Sequence, residues 1–99
     1  MADQLTENQW LLNTLAEECC EVGQRVSKAL RFGLHEVQEG QPFNNAERIE
    51  LELADLYAMV GILVDRGLIE SPSRINMAET KRKVAKYLDY ARSEGVIKP

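Results

Sequence analysis

The sequence predicts an all-α protein, a single domain over residues 1–99 built as a bundle of three main helices. Three long segments carry apolar residues at helical spacing, and no segment alternates as a strand does. The length suits one domain and is too short for two comfortable cores. The middle segment is apolar almost all round, which is typical of a buried helix. Three helices cannot surround it, so we expect a four-helix-bundle-like homodimer core.

The first helix is predicted to run from Glu7 to Phe32. Thr6 and Gln9 form a capping-box start, and Gly33 suits the position just after the helix. At 100° per residue, one face of this helix is apolar, which predicts that it packs against another helix. The residues of that face are Leu12, Leu15, Cys19, Val22, Val26 and Leu30.

A connection over residues 33–45 leads to the second helix, and two readings of it stay open. At thirteen residues it is long for a link between helices, so it holds either a short helical turn or a functional flap. The second helix is predicted to start after Asn44 or Asn45, with Asn44 and Glu47 as a capping pair, and to end near Gly67.

The third helix is predicted to open at Ser71-Pro72, with the proline at the first helical position, and to end before Gly95. Its apolar positions predict a stripe that faces the rest of the bundle. The residues of the stripe are Met77, Val84, Ala85, Leu88 and Ala91.

Composition excludes several classes of protein. The net charge of −4 disfavours a general nucleic-acid binder, which would carry a basic face. Cys19 and Cys20 are neighbours on a helix and cannot easily bridge, so no disulfide framework is expected. The polar N-terminal residues and the short apolar runs predict neither a signal peptide nor a membrane span. We therefore expect a cytoplasmic protein.

Two carboxylate clusters are the most informative feature of the chain. Glu17, Glu18 and Glu21 lie within one turn of the first helix, and Glu52 and Asp55 lie within one turn of the second. The second cluster sits in the apolar run 49–64, where an ionised carboxylate is costly unless a cation compensates it. If the two helices pack antiparallel, the clusters can meet and form a metal site.

The residue types predict which metal the site prefers. Mg²⁺ takes oxygen ligands and is commonly shared between carboxylates and phosphates. Zinc is disfavoured because His35 is the only histidine, and no Glu-x-x-His pair is present for a di-iron centre. We therefore expect Mg²⁺, or Mn²⁺ in its place.

Four basic residues are candidate ligands for phosphate. Lys28 lies on the face of Glu21 about 10 Å further along the first helix, and Arg31 continues that row. Lys81 interrupts the apolar stripe of the third helix, which predicts that it points inward, and Lys83 is the nearest further candidate. Surface cations and snorkelling lysines are common, so a solvated role stays open for each.

The order EECCE at 17–21, a spacer, then ELAD at 52–55 resembles the MazG-like all-α nucleoside triphosphate pyrophosphohydrolases. The segment SKALRFG at 27–33 resembles the small phage and bacterial members. The likeness covers about Leu12 to Tyr90, with a spacer of 30 residues between the clusters that is slightly longer than is common in the family.

The resemblance implies Mg²⁺-dependent hydrolysis of a nucleoside triphosphate to the monophosphate and pyrophosphate, in nucleotide-pool control or housecleaning. It implies metal ligands at Glu18, Glu21, Glu52 and Asp55. It further implies catalytic roles for Glu17 and Glu18, with Glu17 positioning or deprotonating the attacking water. It also implies a homodimer or a dimer of dimers, with sites near the subunit interface.

Two other functions remain open at this point. One is a non-catalytic helical dimerisation module with an acidic groove. The other is an enzyme of narrow substrate range that acts on dUTP, dCTP or phosphoribosyl-ATP. Neither a nucleic-acid polymer nor a membrane is an expected partner.

Overall fold

A computed structural model describes residues 3–99, apart from the side chain of Arg74. The prediction of an all-α fold is confirmed: the described residues form three helices and no strand. The helices are α1 (Glu7–Phe32), α2 (Asn45–Asp65) and α3 (Arg74–Ser93). None of them combines the length and apolarity needed to cross a membrane.

Local capping chemistry fixes both ends of α1 at the predicted residues. The Thr6 hydroxyl accepts a hydrogen bond from the backbone N–H of Gln9, and the Gln9 side chain accepts one from the N–H of Thr6. This reciprocal box satisfies two amides that the helix leaves unpaired. Gly33 ends the helix with φ of 100°, a conformation that strains any residue with a Cβ.

Asn45 joins the connection to the start of α2. Its Nδ2 donates to the carbonyl of Gly33 at 2.8 Å and to the Glu36 carboxylate at 3.1 Å, and the side chain is buried. Its backbone N–H donates to the carbonyl of Glu36, and that of Ala46 to the carbonyl of Leu34. The connection contains turns and no helix, and these bonds tie it to α2.

Replacing Asn45 with Ala is expected to lower the free energy of unfolding by about 1–3 kcal/mol, because a buried side chain that donates two hydrogen bonds is removed. Chemical denaturation measures the change. Asn13→Ala is the control, because it removes an exposed surface bond to Glu17, and we expect it to stay within about 0.5 kcal/mol of wild type. Equal effects of the two substitutions would contradict the role of Asn45.

Helices α1 and α2 form an antiparallel hairpin with one register along its length. The Arg66 guanidinium binds the Glu7 carboxylate at 3.2 Å, which joins the end of α2 to the start of α1. In this register, moving a number of residues toward the C-terminus of α1 corresponds to moving the same number toward the N-terminus of α2. Facing pairs in this register are Glu7–Arg66, Glu18–Asp55 and Glu21–Glu52.

The hairpin buries little apolar surface. Among the described residues, the buried apolar side chains are Ala29, Met59 and Leu63. The apolar face predicted for the first helix is divided: Leu15 and Val22 are half-buried, whereas Leu30 is 87% exposed. The physical reason is that α2 covers a face rotated toward Glu18, so four of the six residues of the predicted stripe are left exposed.

The third helix starts two residues later than predicted. Ser73, not Ser71, is its N-cap, because the Ser73 hydroxyl accepts a hydrogen bond from the backbone N–H of Asn76 at 3.2 Å. Pro72 therefore precedes the helix, and the prediction that it takes the first helical position was wrong.

Helix α3 does not pack on the hairpin. Within residues 3–99, α1 and α2 are the only helices whose Cα atoms come within 8 Å of each other. The radius of gyration is 17.5 Å, whereas a compact domain of this length has about 13 Å. The predicted apolar stripe of α3 is accordingly uncovered, with Val84 60% and Met77 50% exposed.

Candidate metal centre and the adjoining groove

The antiparallel hairpin brings the two carboxylate clusters together. Glu18 of α1 and Glu52 and Asp55 of α2 each place a carboxylate oxygen within 4.8 Å of the other two. Glu18 and Glu52 are half-buried, and Asp55 is exposed. The cluster thus has an inner side against the hairpin and an open side toward solvent.

Crowding changes the acidity of two of these groups. The pKa of Glu18 is raised, first by partial burial and then by repulsion from Glu21, Asp55 and Glu52. Partial burial also raises the pKa of Glu52, together with a close contact to Glu21 and the charge of Asp55. Arg25 acts in the opposite direction on Glu52. Glu21 therefore lies close enough to act on the charge of both Glu18 and Glu52.

Two carboxylate oxygens of the cluster are buried and receive no hydrogen bond from any residue that the structure describes. They are Oε2 of Glu18 and Oε2 of Glu52. A buried oxygen without a donor is unfavourable, and an added proton or a cation relieves it. An all-oxygen donor set of this kind fits a hard divalent cation such as Mg²⁺.

We expect Mg²⁺ to stabilise the protein more at about pH 8 than at about pH 5. Because Glu18 and Glu52 have raised pKa values in the folded state, their contribution to stability is full below the ordinary glutamate pKa and is lost as the pH rises through the raised values. Mg²⁺ competes with protons, so its effect grows as they leave. Thermal unfolding with and without Mg²⁺ at both pH values measures this.

The variant Glu52→Gln is the control for this titration. It removes one titrating group, so both the pH dependence of stability and the shift caused by Mg²⁺ should shrink. An Mg²⁺-induced shift that is as large at the lower pH as at the higher pH would contradict the prediction.

Three further predicted site residues of α1 are not part of this group of carboxylates. Glu17 lies outside the cluster, where its exposed carboxylate accepts a hydrogen bond from Asn13 at 3.2 Å. Lys28 is half-buried in a groove beside Asn45. Arg31 is exposed, with its guanidinium 5.2 Å from the centre of the Phe32 ring.

Lys81 and Lys83 do not reach the cluster within one chain. Both are exposed on α3, which stays more than 8 Å in Cα distance from α1 and α2 over the described residues. In the single chain Lys81 is exposed, so the expectation that it points into the bundle is not met there. Their proposed contact with substrate requires a second copy of the protein.

Two arginines that sequence reasoning did not select adjoin the cluster. Arg25 and Arg48 line a cavity of about 550 Å³ whose wall also includes Glu21 and Glu52. Periodicity could have identified them, because Arg25 follows Glu21 by four residues and Arg48 precedes Glu52 by four. In an antiparallel hairpin those equal steps place the two guanidinium groups across from each other.

Comparisons with known proteins give no relative. No protein-family model matches the chain, and neither a curated protein nor a solved structure matches it. A proposal of function for this chain therefore depends on the chemistry of its own side chains and on the motif order of its carboxylates.

Proposed function

We propose that the protein is a Mg²⁺-dependent nucleoside triphosphate pyrophosphohydrolase. The observation that supports this most directly is the convergence of Glu18, Glu52 and Asp55, from two helices, on one small volume. The order of these residues along the chain is the one that led to the resemblance. The two unpaired carboxylate oxygens add a chemical reason for a cation at that place.

Four residues of this chain would hold the metal: Glu18 and Glu21 on α1, and Glu52 and Asp55 on α2. Bound there, Mg²⁺ would neutralise phosphate charge and make a bound water more acidic. The half-buried Glu18 and Glu52 fix the inner side of the site, and the exposed Asp55 leaves its outer side open to substrate.

The remaining chemistry is proton transfer and positioning. Hydrolysis needs an acceptor for the proton of the attacking water, and a carboxylate can serve as that base. Glu18 would hold the metal, and Glu17 precedes it on the solvent side of α1. We assign to Glu17 the positioning or deprotonation of the water, beside Glu18. Lys28 and Arg31 are the candidate phosphate ligands on the same helix.

The proposal includes a homodimer. One side of the hairpin is an apolar groove lined by residues of both helices and of the connection. These residues are Val26, Ala29, Leu30, Leu34 and Ile49. Two hairpins that pack on these sides would form a four-helix core. The single chain lacks such a core, since residues 3–99 contain three buried apolar side chains.

Helix α3 is the part of the chain best suited to cover the partner. Six of its twenty residues are basic and two are acidic, whereas the whole chain has a net charge of −4. The rest of the chain is therefore strongly acidic, and α3 is attracted to it. We propose that Lys81 and Lys83 contact the substrate from the α3 of the second copy.

A screen of all eight common ribo- and deoxyribonucleoside triphosphates with Mg²⁺ tests the activity. The expected result is release of pyrophosphate, and not orthophosphate, from at least one of them. Turnover confined to dUTP or dCTP would favour a narrow-range enzyme that controls one nucleotide, and broad turnover would favour housecleaning of the cytoplasmic pool.

Absence of turnover on every nucleotide, including phosphoribosyl-ATP, would count against the enzyme. Combined with no stabilisation by Mg²⁺ or Mn²⁺, it would favour the non-catalytic dimerisation module. The acidic cluster would then be a solvated groove between subunits.

A further inference from the structure

The register that brings the carboxylates of the acid cluster together also places two arginines, the basic pair, next to that cluster. One turn beyond Glu21 on α1 lies Arg25, and one turn before Glu52 on α2 lies Arg48. Both line the cavity that begins at Glu21 and Glu52. Four residues of helix correspond to about 6 Å, so the basic pair lies about that distance from the acid cluster.

Neither arginine of this pair forms a close ion pair with a described carboxylate, although the charge of Arg25 lowers the pKa of Glu52. In the part of the chain that the structure describes, the ion pairs within 4.0 Å are those of Arg66 and of Arg92. The two half-buried arginines line one cavity together with Glu21 and Glu52, and no close ion pair among the described residues occupies their N–H donors. Those donors are available to an anionic ligand, and a cation at the acid cluster would leave the arginines free to bind it.

The connection between the helices holds Arg48 in place. One terminal nitrogen of its guanidinium donates to Oε1 of Gln38 at 2.9 Å. The bonds of Asn45 hold the same connection against the start of α2. Because the guanidinium has five N–H donors, Arg48 keeps donors for a ligand while Gln38 fixes its position.

Apolar residues also line the cavity. They are Pro42 and Phe43 of the connection and Leu51 of α2, and Phe43 is 42% exposed. An aromatic ring in the wall of an anion-binding cavity can stack on a planar ligand group. The cavity therefore offers contacts both for phosphate and for a ring.

We propose that Arg25 and Arg48 bind the phosphate chain of a nucleotide in this cavity, and that Phe43 stacks on its base. The assignment rests on the proposed function in one respect, since the metal at the acid cluster would hold the adjacent phosphate. Arginine is suited to this role because its planar fork binds two phosphate oxygens at once. The pair lies nearer to the acid cluster than Lys28 and Arg31 do.

Binding of inorganic tripolyphosphate in the presence of Mg²⁺, measured by calorimetry, tests the basic pair. Arg25→Gln and Arg48→Gln are each expected to weaken binding by about tenfold or more, the loss of a charge-assisted hydrogen bond. Arg92→Gln is the matched control: it removes the same charge from an exposed pair with Asp89 on α3, and binding should change less than twofold.

Two further variants separate direct contact from support of the connection. Gln38→Ala removes the anchor of Arg48 and keeps both charges, so its effect should be smaller than that of Arg48→Gln. Arg48→Lys keeps the charge and loses the fork, and an intermediate affinity is expected. If Gln38→Ala weakens binding as much as Arg48→Gln does, Arg48 acts through the connection and the proposed contact is wrong.

The stacking contact has its own readout. Phe43→Leu keeps an apolar side chain and removes the ring, so it should weaken binding of α,β-methylene deoxynucleoside triphosphates by roughly fivefold or more and leave tripolyphosphate unaffected. An equal effect on both ligands, or none on either, would overturn the role of Phe43.

Failure of this inference can be distinguished from failure of the proposed function. If the protein releases pyrophosphate while both arginine variants bind tripolyphosphate as wild type does, the basic pair is wrong and the enzyme stands. If tripolyphosphate binds through the arginines without turnover of any nucleotide, the anion site stands and the hydrolase is wrong. No binding of tripolyphosphate by the wild-type protein overturns the anion site.

Discussion

The variants Glu52→Gln and Asp55→Asn are each expected to reduce pyrophosphate release by at least about 100-fold, as loss of an electrostatic group at a reacting centre usually does. Both substitutions keep the size of the side chain and remove the charge that would hold the cation. The measurement is pyrophosphate release at saturating Mg²⁺ on the best nucleotide of the screen.

The fold should survive these changes, and the metal-free stability of Glu52→Gln should be at least that of wild type near neutral pH. Its raised pKa shows that the surroundings disfavour the charged form, and glutamine carries no charge. Glu50→Gln is the matched control on the same helix, because Glu50 is exposed and outside the cluster. Full activity of Glu52→Gln or Asp55→Asn would refute the assigned metal site.

The variant Leu30→Asp is expected to weaken the proposed dimer by more than about 100-fold. Leu30 is 87% exposed in the single chain and lines the apolar groove of the hairpin. A leucine buried in an interface contributes about 1.5–3 kcal/mol, and an unpaired carboxylate in its place adds a desolvation penalty. Sedimentation equilibrium over a range of concentrations measures the association.

Stability should follow association, because a chain with so small a core depends on its partner. We therefore expect the melting temperature of wild type to rise with protein concentration, and that of Leu30→Asp to fall well below it. Ser71→Asp is the control, since it adds the same charge at an exposed polar position between α2 and α3. A wild-type protein that is monomeric at every concentration would contradict the proposed dimer.

The ends of α1 and the start of α2 could be predicted because capping is a local interaction. Thr6 with Gln9, and Asn44 with Glu47, satisfy backbone amides three residues away, so nearby sequence contains all the partners. The start of α3 was predicted two residues too early, although its capping is also local. Two serines flank Pro72, and either could cap a helix. In the structure the hydroxyl of Ser73 accepts the hydrogen bond from the N–H of Asn76, so Ser73 is the cap.

The sequence by itself determined the helical class and the two carboxylate patches, because both depend on the 3.6-residue period of one helix at a time. Only the tertiary structure decided which face of α1 meets α2. That choice sets the register, and the register is a long-range property that no single segment encodes. It brought Glu18 close to Asp55, and it also placed Arg25 and Arg48 in one cavity wall, left Leu30 uncovered and kept Lys81 away from the cluster.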